Sequence, residues 1–220
     1  MVNIFTVGKD LDRDKAFALH NACFGDEREW FDAFLAAADG EKYLAYEDYH
    51  GGMFLLDVNF GDYRGKYVYA LGVHQSFRGR GIAKELLEAA KELSPDFTLI
   101  CAADEKLAAA YERCGFNVYV GGTVKAGDMY GAKIDVSEYR IPCTYADIRG
   151  GILLNEKLFG FALSECGAKL CTDGKNIVAK AENGIYAAYG TSPVVEKKAQ
   201  VYLKKDIDFG GAVADLILEI

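Results

Sequence analysis

The segment Arg78-Gly79-Arg80-Gly81-Ile82-Ala83 has the residue types of an anion-binding turn. It follows the β-branched and aromatic run 67–73, which predicts a strand. It precedes apolar residues at the spacing of one helix face, namely Ile82, Leu86, Ala90 and Leu93. Glycines allow close approach to the backbone, and the N–H groups at a helix start attract phosphate. The segment therefore predicts a phosphate-binding turn, with a purely structural turn as the alternative.

Two common nucleotide-binding motifs do not fit this turn. The pattern G-x-x-x-x-G-K-[ST] does not occur, and the G-x-G-x-x-G fingerprint ends at Gly81 because residue 84 is lysine. The sequence also lacks an acidic residue that ends a following strand about 20 residues on, as NAD-binding domains have. An NAD-binding domain is therefore disfavoured.

Tyr111 lies on a second segment with possible chemistry, residues 107–116, which read Leu-Ala-Ala-Ala-Tyr-Glu-Arg-Cys-Gly-Phe. The apolar run Phe97 to Cys101 before it predicts a buried strand. Ala108 to Arg113 then predicts a short helix that ends at Gly115. A phenol can donate a proton, but a tyrosine on a helix more often packs in the core. Taken alone, Tyr111 is predicted to be structural.

The first 40 residues, which must help to position these segments, predict one strand followed by two helices. Asp10 or Asp12 can cap the first helix. Asp26 and Glu29 have capping-box spacing and predict the start of the second helix. Trp30 lies on the apolar face of this helix and is predicted to be a core residue.

Two further strands are predicted before the glycine-rich turn. Lys42 to Glu47 and Met53 to Phe60 have strand composition, with Gly51-Gly52 as the turn between them. They lead into the strand that precedes the glycine-rich turn. The succession is then strand, two helices, three strands, helix, strand, helix and strand, which predicts a mixed α/β fold through Val120.

The chain after Gly122 has a different texture. Short strands are predicted at 132–136, 152–154, 168–171, 177–181, 185–189 and 200–203, and helices near 157–166 and at 212–220. Neither the glycine-rich turn nor the tyrosine segment recurs there. We therefore expect this region to lack a cofactor site of its own and to serve as a structural or substrate-shaping lobe.

The composition indicates a globular protein with an acidic surface. Its 220 residues, 51% of them hydrophobic, can bury one full core and a smaller lobe. The net charge of −8 disfavours nucleic acid and acidic membranes as partners and gives modest support to a cationic one. No apolar run approaches a membrane span and the first ten residues do not resemble a signal peptide, so we expect a cytoplasmic protein without membrane contact.

The cysteines and histidines do not predict a metal site. The six cysteines include no C-x-x-C pair, and only three histidines accompany them. His50 and His74 stand alone and are predicted to be structural or surface residues. We therefore expect no bound metal.

The two segments together resemble the GNAT superfamily of N-acetyltransferases. Arg78-x-x-Gly81-x-Ala83 after an apolar strand resembles its motif A, R/Q-x-x-G-x-G/A, which holds the pyrophosphate of acetyl-coenzyme A. Residues 107–116, which end in Tyr-Glu-x-x-Gly-Phe, resemble its motif B, in which the position of Tyr111 carries the general acid. The resemblance implies the GNAT fold, a mixed and mostly antiparallel sheet flanked by helices.

A finer resemblance is to the two-lobed acetyltransferases of the enhanced-intracellular-survival type. Residues 65–73 resemble their Y-I-Y-A-V-A strand, and residues 101–107 resemble their P-A-S-E-x-L segment. The resemblance implies a catalytic domain at 1–125 that binds acetyl-CoA. It also implies a smaller α+β lobe at 126–220, which could be a degenerate second GNAT-like half.

The resemblance also indicates which residues would meet acetyl-CoA. Leu71, Gly72 and Val73 would separate from the neighbouring strand at a bulge, and their backbone amides would bind pantetheine and polarise the thioester carbonyl. Tyr111 would protonate the departing thiolate. The pyrophosphate would be held by Arg78, Gly79, Arg80, Gly81, Ile82 and Ala83.

The general base is left open, because the central strand lacks the carboxylate that many GNAT enzymes have there. Asp57, a chain of water molecules and the terminal carboxylate of Ile220 are the candidates. The predicted function is direct transfer of an acetyl group to a primary amine of a polyamine, an aminoglycoside-like molecule or a lysine side chain. The enzyme would act as a monomer or homodimer, and a non-catalytic acyl-CoA-binding module is the alternative.

Overall fold

The computed structural model describes residues 1–122, 141–148, 151–175, 177–181, 184–189, 198–210 and 213–214. The α-helices in these ranges are α1 (Arg13–Phe24), α2 (Arg28–Ala37), α3 (Ile82–Leu93), α4 (Glu105–Arg113) and α5 (Glu156–Glu165). The β-strands are β1 (Val2–Thr6), β2 (Lys42–Tyr46), β3 (Gly51–Phe60), β4 (Tyr63–Val73), β5 (Phe97–Cys101), β6 (Val118–Gly122), β7 (Ile141–Pro142), β8 (Gly151–Leu154), β9 (Lys169–Thr172), β10 (Ile177–Ala181), β11 (Gly184–Tyr189), β12 (Lys198–Leu203) and β13 (Val213–Ala214). Through β6 this order is the one that the sequence predicts.

Nine of the strands form one mixed sheet in the order β1-β2-β3-β4-β5-β12-β6-β13-β8. Most neighbours in it are antiparallel. β4 and β5 are parallel, and the two-residue strand β13 is parallel to both of its neighbours. β8 also pairs with the end of β3, so the sheet closes on itself there. The predicted mixed, mostly antiparallel sheet flanked by helices is confirmed.

Helices cover both faces of this sheet because side chains on a strand alternate between the faces. On β4, Tyr67 and Tyr69 belong to the same buried cluster as Phe34 of α2. Val68, between them, belongs to a second cluster with residues of α3 and with Tyr111 of α4. Buried residues of α1, α2 and α5 therefore pack on one face, and those of α3 and α4 on the other.

Gly51 and Gly52 lie inside β3 and do not form the turn that the sequence predicts. The chain reverses just before them, where Glu47 and Tyr49 have positive φ angles of 50° and 59°. A Cβ atom on Gly52 would lie 2.3 Å from the hydroxyl oxygen of Tyr43. Glycine is therefore required at this position because the neighbouring strands pack closely. The predicted turn at Gly51-Gly52 was wrong.

The described residues after Gly122 divide between two sheets. β12 lies between β5 and β6 in the main sheet and is antiparallel to both, while a second sheet has the order β11-β10-β9-β7. The helix predicted near 157–166 is confirmed as α5. The strands predicted at 152–154, 168–171, 177–181, 185–189 and 200–203 are confirmed as β8, β9, β10, β11 and β12, within a few residues.

The remaining predictions for this region have other outcomes. The strand predicted at 132–136 lies outside the described residues, and so does most of the helix predicted at 212–220, of which residues 213–214 form β13. The division of the chain at residue 125 stays a prediction. β12 pairs with both β5 and β6 and lies between them in the first sheet.

Glu41 joins the C-terminal part of the chain to the main sheet through a buried carboxylate. One of its oxygens accepts a hydrogen bond from the backbone N–H of Asp57 at 2.8 Å, and the other accepts from Nδ2 of Asn155 at 2.6 Å. Asn155 also caps α5, because its Oδ1 accepts from the backbone N–H of Leu158 at 3.0 Å. Burial raises the pKa of Glu41 above its ordinary value. This carboxylate therefore fixes the start of α5 against the sheet.

We expect Glu41→Ala to lower the free energy of unfolding by about 1–3 kcal/mol, because two partly buried hydrogen bonds lose their acceptor. Chemical denaturation followed by circular dichroism measures this change. Glu165→Ala is the matched control, since it removes an exposed carboxylate from the last turn of α5. The control should stay within about 0.5 kcal/mol of wild type. Equal losses in the two variants would contradict the role of Glu41.

Candidate active site

Strand β4 separates from β5 halfway along its length. The two strands pair as far as Val68 and Ile100, and β4 then continues to Val73 without this neighbour. Its register with β3 shifts at the same place, which is a β-bulge. Ala70 in the bulge has a left-handed φ of 52°. The bulge and the gap thus occur where the sequence analysis places the cofactor strand 71–73.

A cavity of about 350 Å³ lies at this gap. Its lining comes from α1, α2, β4, β5 and α4 and the loops beside them, and includes His20, Phe24, Asp26, Trp30, Val68, Tyr69, Ala70, Leu71, Ile100, Cys101, Ala103, Leu107 and Tyr111. α1 and α2 pack on one face of the sheet and α4 on the other. The cavity therefore joins the two faces through the gap between β4 and β5, which allows two reactants to meet from opposite sides.

α4 brings Tyr111 to this cavity with its side chain only 8% exposed. Asp104 caps α4 by accepting a hydrogen bond from a backbone N–H of the first turn at 2.7 Å. Gln200 of β12 donates from Nε2 to the carbonyl oxygens of Ala108 and Phe116, at 3.0 and 3.2 Å. The sequence analysis did not identify Gln200, because 92 residues separate it from Ala108 and no local pattern marks the contact.

The glycine-rich turn lies beyond the cavity, between the end of β4 and the start of α3. Gly79 and Gly81 have φ angles of 78° and 82°, in the left-handed region that favours glycine. A Cβ atom on either residue would meet no other atom of the described chain within 4 Å. Gly81 is the N-cap of α3 and offers no side-chain cap. The start of α3 therefore borders open space.

Arg78 and Arg80 are exposed beside this helix start. Nε of Arg78 donates to the carbonyl oxygen of Val73 at 3.0 Å. Arg80 donates to the carbonyl oxygen of Ser76 at 3.3 Å, and its guanidinium lies 5.1 Å from the ring centre of Phe77. Two positive charges and the positive end of the α3 dipole thus lie together, which is an arrangement that suits an anion.

His20 and Asp26 form a hydrogen-bonded pair in the lining of the cavity, which the sequence analysis did not identify. Nε2 of His20 lies 2.7 Å from Oδ2 of Asp26, with the side chains 4% and 41% exposed. Because a carboxylate can only accept, Nε2 is the nitrogen that carries the proton. Burial lowers the pKa of His20 below its ordinary value, and the hydrogen bond to Asp26 opposes this effect. The imidazole is therefore neutral at neutral pH.

Asp26 does not cap α2, so the predicted capping box was wrong. The N-cap of α2 is Glu27, which makes no side-chain cap hydrogen bond. Gly25 ends α1 with a φ of 83°, and Nδ2 of Asn21 donates to the carbonyl oxygen of Asp26 at 2.9 Å. This reversal of the chain turns the Asp26 carboxylate back towards His20. A histidine six residues before an aspartate, with a helix-ending glycine between them, is the local signal that could have indicated the pair.

Trp30 lies half-buried between the core and the cavity, so its predicted core position is only partly right. Its ring stacks on His20, with centroids 5.8 Å apart, and on Phe34, with centroids 5.5 Å apart. The edge of Phe161 from α5 packs on it at 6.0 Å. Phe161, from the C-terminal part of the chain, therefore supports an aromatic wall formed by His20, Trp30 and Phe34.

The predicted site residues do not all come together. Leu71 and Tyr111 line the cavity, whereas the turn residues that would hold the pyrophosphate lie beyond it along β4 and α3. Asp57, a candidate base, is paired with Lys66 and is not among the described lining residues. Ile220, another candidate, lies outside the described residues.

His50 and His74 have structural contacts. The His50 ring stacks on Phe77 with centroids 3.6 Å apart. Nδ1 of His74 accepts from the backbone N–H of Ser76 at 3.3 Å and caps a short 3₁₀ turn. The prediction that both are structural or surface residues is confirmed.

In the described ranges, no group of three or more His, Cys, Asp or Glu side chains is placed to hold a metal ion. Among the helices that the structure describes, none has the length and the apolar character that crossing a membrane requires.

Comparisons with known proteins agree with this fold. Residues 9–116 match the model of the acetyltransferase (GNAT) family. The structure of a GCN5-related N-acetyltransferase from Anabaena variabilis ATCC 29413 superposes with a TM-score of 0.50 at 12% identity, covering 94% of this chain and 67% of that one. A Pyrococcus horikoshii chain described as an acetyltransferase has a TM-score of 0.49 at 14% identity, covering 97% and 94%. No curated protein matches the sequence.

The likeness to the Anabaena structure supports the fold, and the family match includes both the glycine-rich turn and Tyr111. The protein is thus an acyltransferase. Its residues 9–116 belong to the GNAT family of acetyltransferases.

We expect Gly81→Ala to lower the free energy of unfolding by about 1 kcal/mol, because alanine is strained at a left-handed φ. Gly160→Ala is the matched control, since Gly160 lies exposed inside α5 with no atom within 4 Å of an added Cβ. This control should raise stability by about 0.5–1 kcal/mol. Chemical denaturation compares the two variants, and shifts in the same direction would contradict the conformation assigned to Gly81.

Proposed function

We propose that the protein transfers an acetyl group directly from acetyl-CoA to a primary amine of a small molecule. The observation that carries this proposal is the cavity at the gap between β4 and β5, which places Tyr111 from one face opposite an acidic and aromatic wall from the other. A polyamine or an aminoglycoside-like molecule is the proposed class of acceptor.

The residues near the gap suit acetyl-CoA. The open start of α3, with Arg78 and Arg80 beside it, would hold the pyrophosphate through backbone N–H groups and two guanidinium charges. Backbone groups of Leu71, Gly72 and Val73 lie past the last pair with β5 and would hydrogen-bond the pantetheine arm. When bound, acetyl-CoA supplies a thioester, whose acyl carbon is open to attack by an amine.

Tyr111 is the proposed general acid. Its side chain is nearly buried and lines the same cavity as Leu71, where a thiolate would depart. Exclusion of water strengthens a hydrogen bond from the phenol to a developing negative charge. The hydroxyl would therefore protonate the sulfur as the C–S bond breaks.

The charge of the cavity favours an amine as the second substrate. Asp26 is the one charged side chain among the described lining residues. Trp30 lies beside it in the lining and adds an aromatic surface. The net charge of −8 adds a long-range attraction for cations.

The C-terminal part of the chain would shape the acceptor side, as expected for residues 126–220. Phe161 of α5 packs against Trp30, and α5 is fixed to the sheet through Glu41 and Asn155. A resemblance of this part to the second lobe of the enhanced-intracellular-survival enzymes stays a proposal.

We expect Tyr111→Phe to lower kcat by about 10- to 1,000-fold with little change in the affinity for acetyl-CoA, because one transition-state donor is lost. Thiol release from acetyl-CoA is measured with a polyamine, an aminoglycoside and a lysine peptide as acceptors. Calorimetry measures the binding of acetyl-CoA. Tyr63→Phe, at the exposed start of β4, is the control and should behave as wild type. Equal losses of turnover and of affinity would argue against Tyr111 as the acid.

We expect Arg78→Ala to weaken the binding of acetyl-CoA by about tenfold or more, because a charge-assisted hydrogen bond to phosphate is lost. The loss should be smaller for a dephosphorylated acetyl-pantetheine, which lacks the pyrophosphate. Calorimetry at two salt concentrations measures the binding affinity for each of the two ligands. Arg64→Ala removes another exposed arginine, which lies on β4, and is the matched control. The same loss with both ligands would contradict a pyrophosphate site at Arg78.

A further inference from the structure

We propose that His20 is the proton acceptor for the amine substrate and that Asp26 holds its imidazole in the required tautomer. This inference rests on the proposed acetylation of an amine. It supplies the general base, which the central strand does not offer. His20 acts on the substrate directly, whereas Asp26 acts mainly as a positioning residue.

His20 lies on the α1 side of the cavity. His20, Leu71 and Tyr111 line one cavity, with His20 on α1 and Tyr111 on α4 at opposite faces of the sheet. An amine on the α1 side of the gap would therefore lie beside His20. A base on that side and an acid on the other match the direction in which protons must move.

The hydrogen bond to Asp26 decides which nitrogen of His20 can accept a proton. Nε2 lies 2.7 Å from the carboxylate and must carry hydrogen in order to donate to it. In the neutral ring the lone pair is then on Nδ1. When Nδ1 takes a proton, the new positive charge lies next to the negative charge of Asp26, which stabilises it.

The surroundings of the ring keep His20 neutral before the substrate arrives. Its aromatic neighbours are Phe24, Trp30, Phe31 and Phe54, with centroids 4.9 to 6.4 Å away, and none of them titrates. Burial lowers the pKa of His20, as described above. A histidine that is neutral near pH 7 is available as a base there.

The two protons that the amine loses in the proposed reaction go to His20 and to Tyr111. An ammonium group gives one proton to Nδ1 of His20, and the neutral amine forms the new N–C bond as the C–S bond breaks. Tyr111 donates its proton to the sulfur, which takes the electron pair of the C–S bond. The second proton lost by the nitrogen restores the Tyr111 hydroxyl. His20 returns its proton to water, so each turnover releases one proton with the acetylated amine and the free thiol.

The pH dependence of the reaction separates His20 from the other groups in the cavity. Besides His20 and Asp26, the ionisable side chains in the described lining are Tyr69, Cys101 and Tyr111. Phenols and thiols ordinarily titrate above about pH 8 and carboxylates near 4. A decline of kcat/KM between about pH 7 and 5 is therefore the signature of an imidazole.

The test compares His20→Gln, Asp26→Asn and wild type with the amine that wild type acetylates best among the polyamine, the aminoglycoside and the lysine peptide. Glutamine keeps an N–H donor for Asp26 but has no basic nitrogen. We expect His20→Gln to lower kcat/KM at pH 7 by about 100-fold or more and to remove the decline towards low pH. Asp26→Asn should move this decline to lower pH, because the carboxylate raises the pKa of His20. His50→Gln is the matched control and should keep wild-type turnover.

A second measurement does not depend on turnover. NMR of the imidazole nitrogens in the free protein should find His20 protonated at Nε2 and titrating below about 6.5, the ordinary value for histidine. A proton on Nδ1 in the neutral ring, or a decline at low pH that persists in His20→Gln, would overturn the role of His20 alone. No thiol release by wild type with any of the three amines would instead overturn the proposed function, and the base role with it.

Discussion

Beyond Val68, β4 continues to Val73 without β5, the hydrogen-bonding neighbour that it has in its first half. The bulge at Ala70 shifts the register of β4 with β3 at the same point, and the edge of β4 beyond Val68 lies along the gap. Backbone N–H and C=O groups at such an edge need hydrogen-bond partners, which water or a ligand with amides of its own can supply. The cavity and the two-sided access to it depend on this break in the pairing.

Positive and negative charges lie at different ends of the site around the gap. At one end, Arg78, Arg80 and the start of α3 present positive charge and backbone donors in open space. In the cavity, Asp26 brings the negative charge and is held against His20. These charges would attract the proposed phosphate-bearing donor and cationic acceptor to different ends of one site.

Contacts from distant parts of the chain hold this site in shape. Gln200 of β12 ties the carbonyl groups of Ala108 and Phe116, before and after Tyr111, to the centre of the sheet. On the other face, Asn155 caps the start of α5 and donates a hydrogen bond to the buried carboxylate of Glu41. α5 then supports the aromatic wall. The described residues after Gly122 thus support the residues that line the site, although this part of the sequence has no glycine-rich turn of its own.

The sequence by itself determined the local units of this protein. The glycine-rich turn and the helix of Tyr111 could be recognised because each is a continuous segment whose spacing follows from strand and helix periodicity. The order of elements through β6 followed from the same patterns. These patterns did not decide whether Tyr111 is a packed or a reactive residue, because that depends on which groups lie across the cavity from it.

Only the tertiary structure decided which distant groups meet. The insertion of β12, the anchor Gln200 and the wall formed with Phe161 are contacts between segments far apart in the chain, and no periodicity signals them. Asp26 shows the same limit at short range. Its spacing to Glu29 is correct for a helix cap, but the left-handed turn at Gly25 directs the carboxylate to the buried ring of His20 instead. The hydrogen-bond partner of a carboxylate depends on which groups lie near it in the folded protein. Those positions are set by the whole chain and not by local spacing.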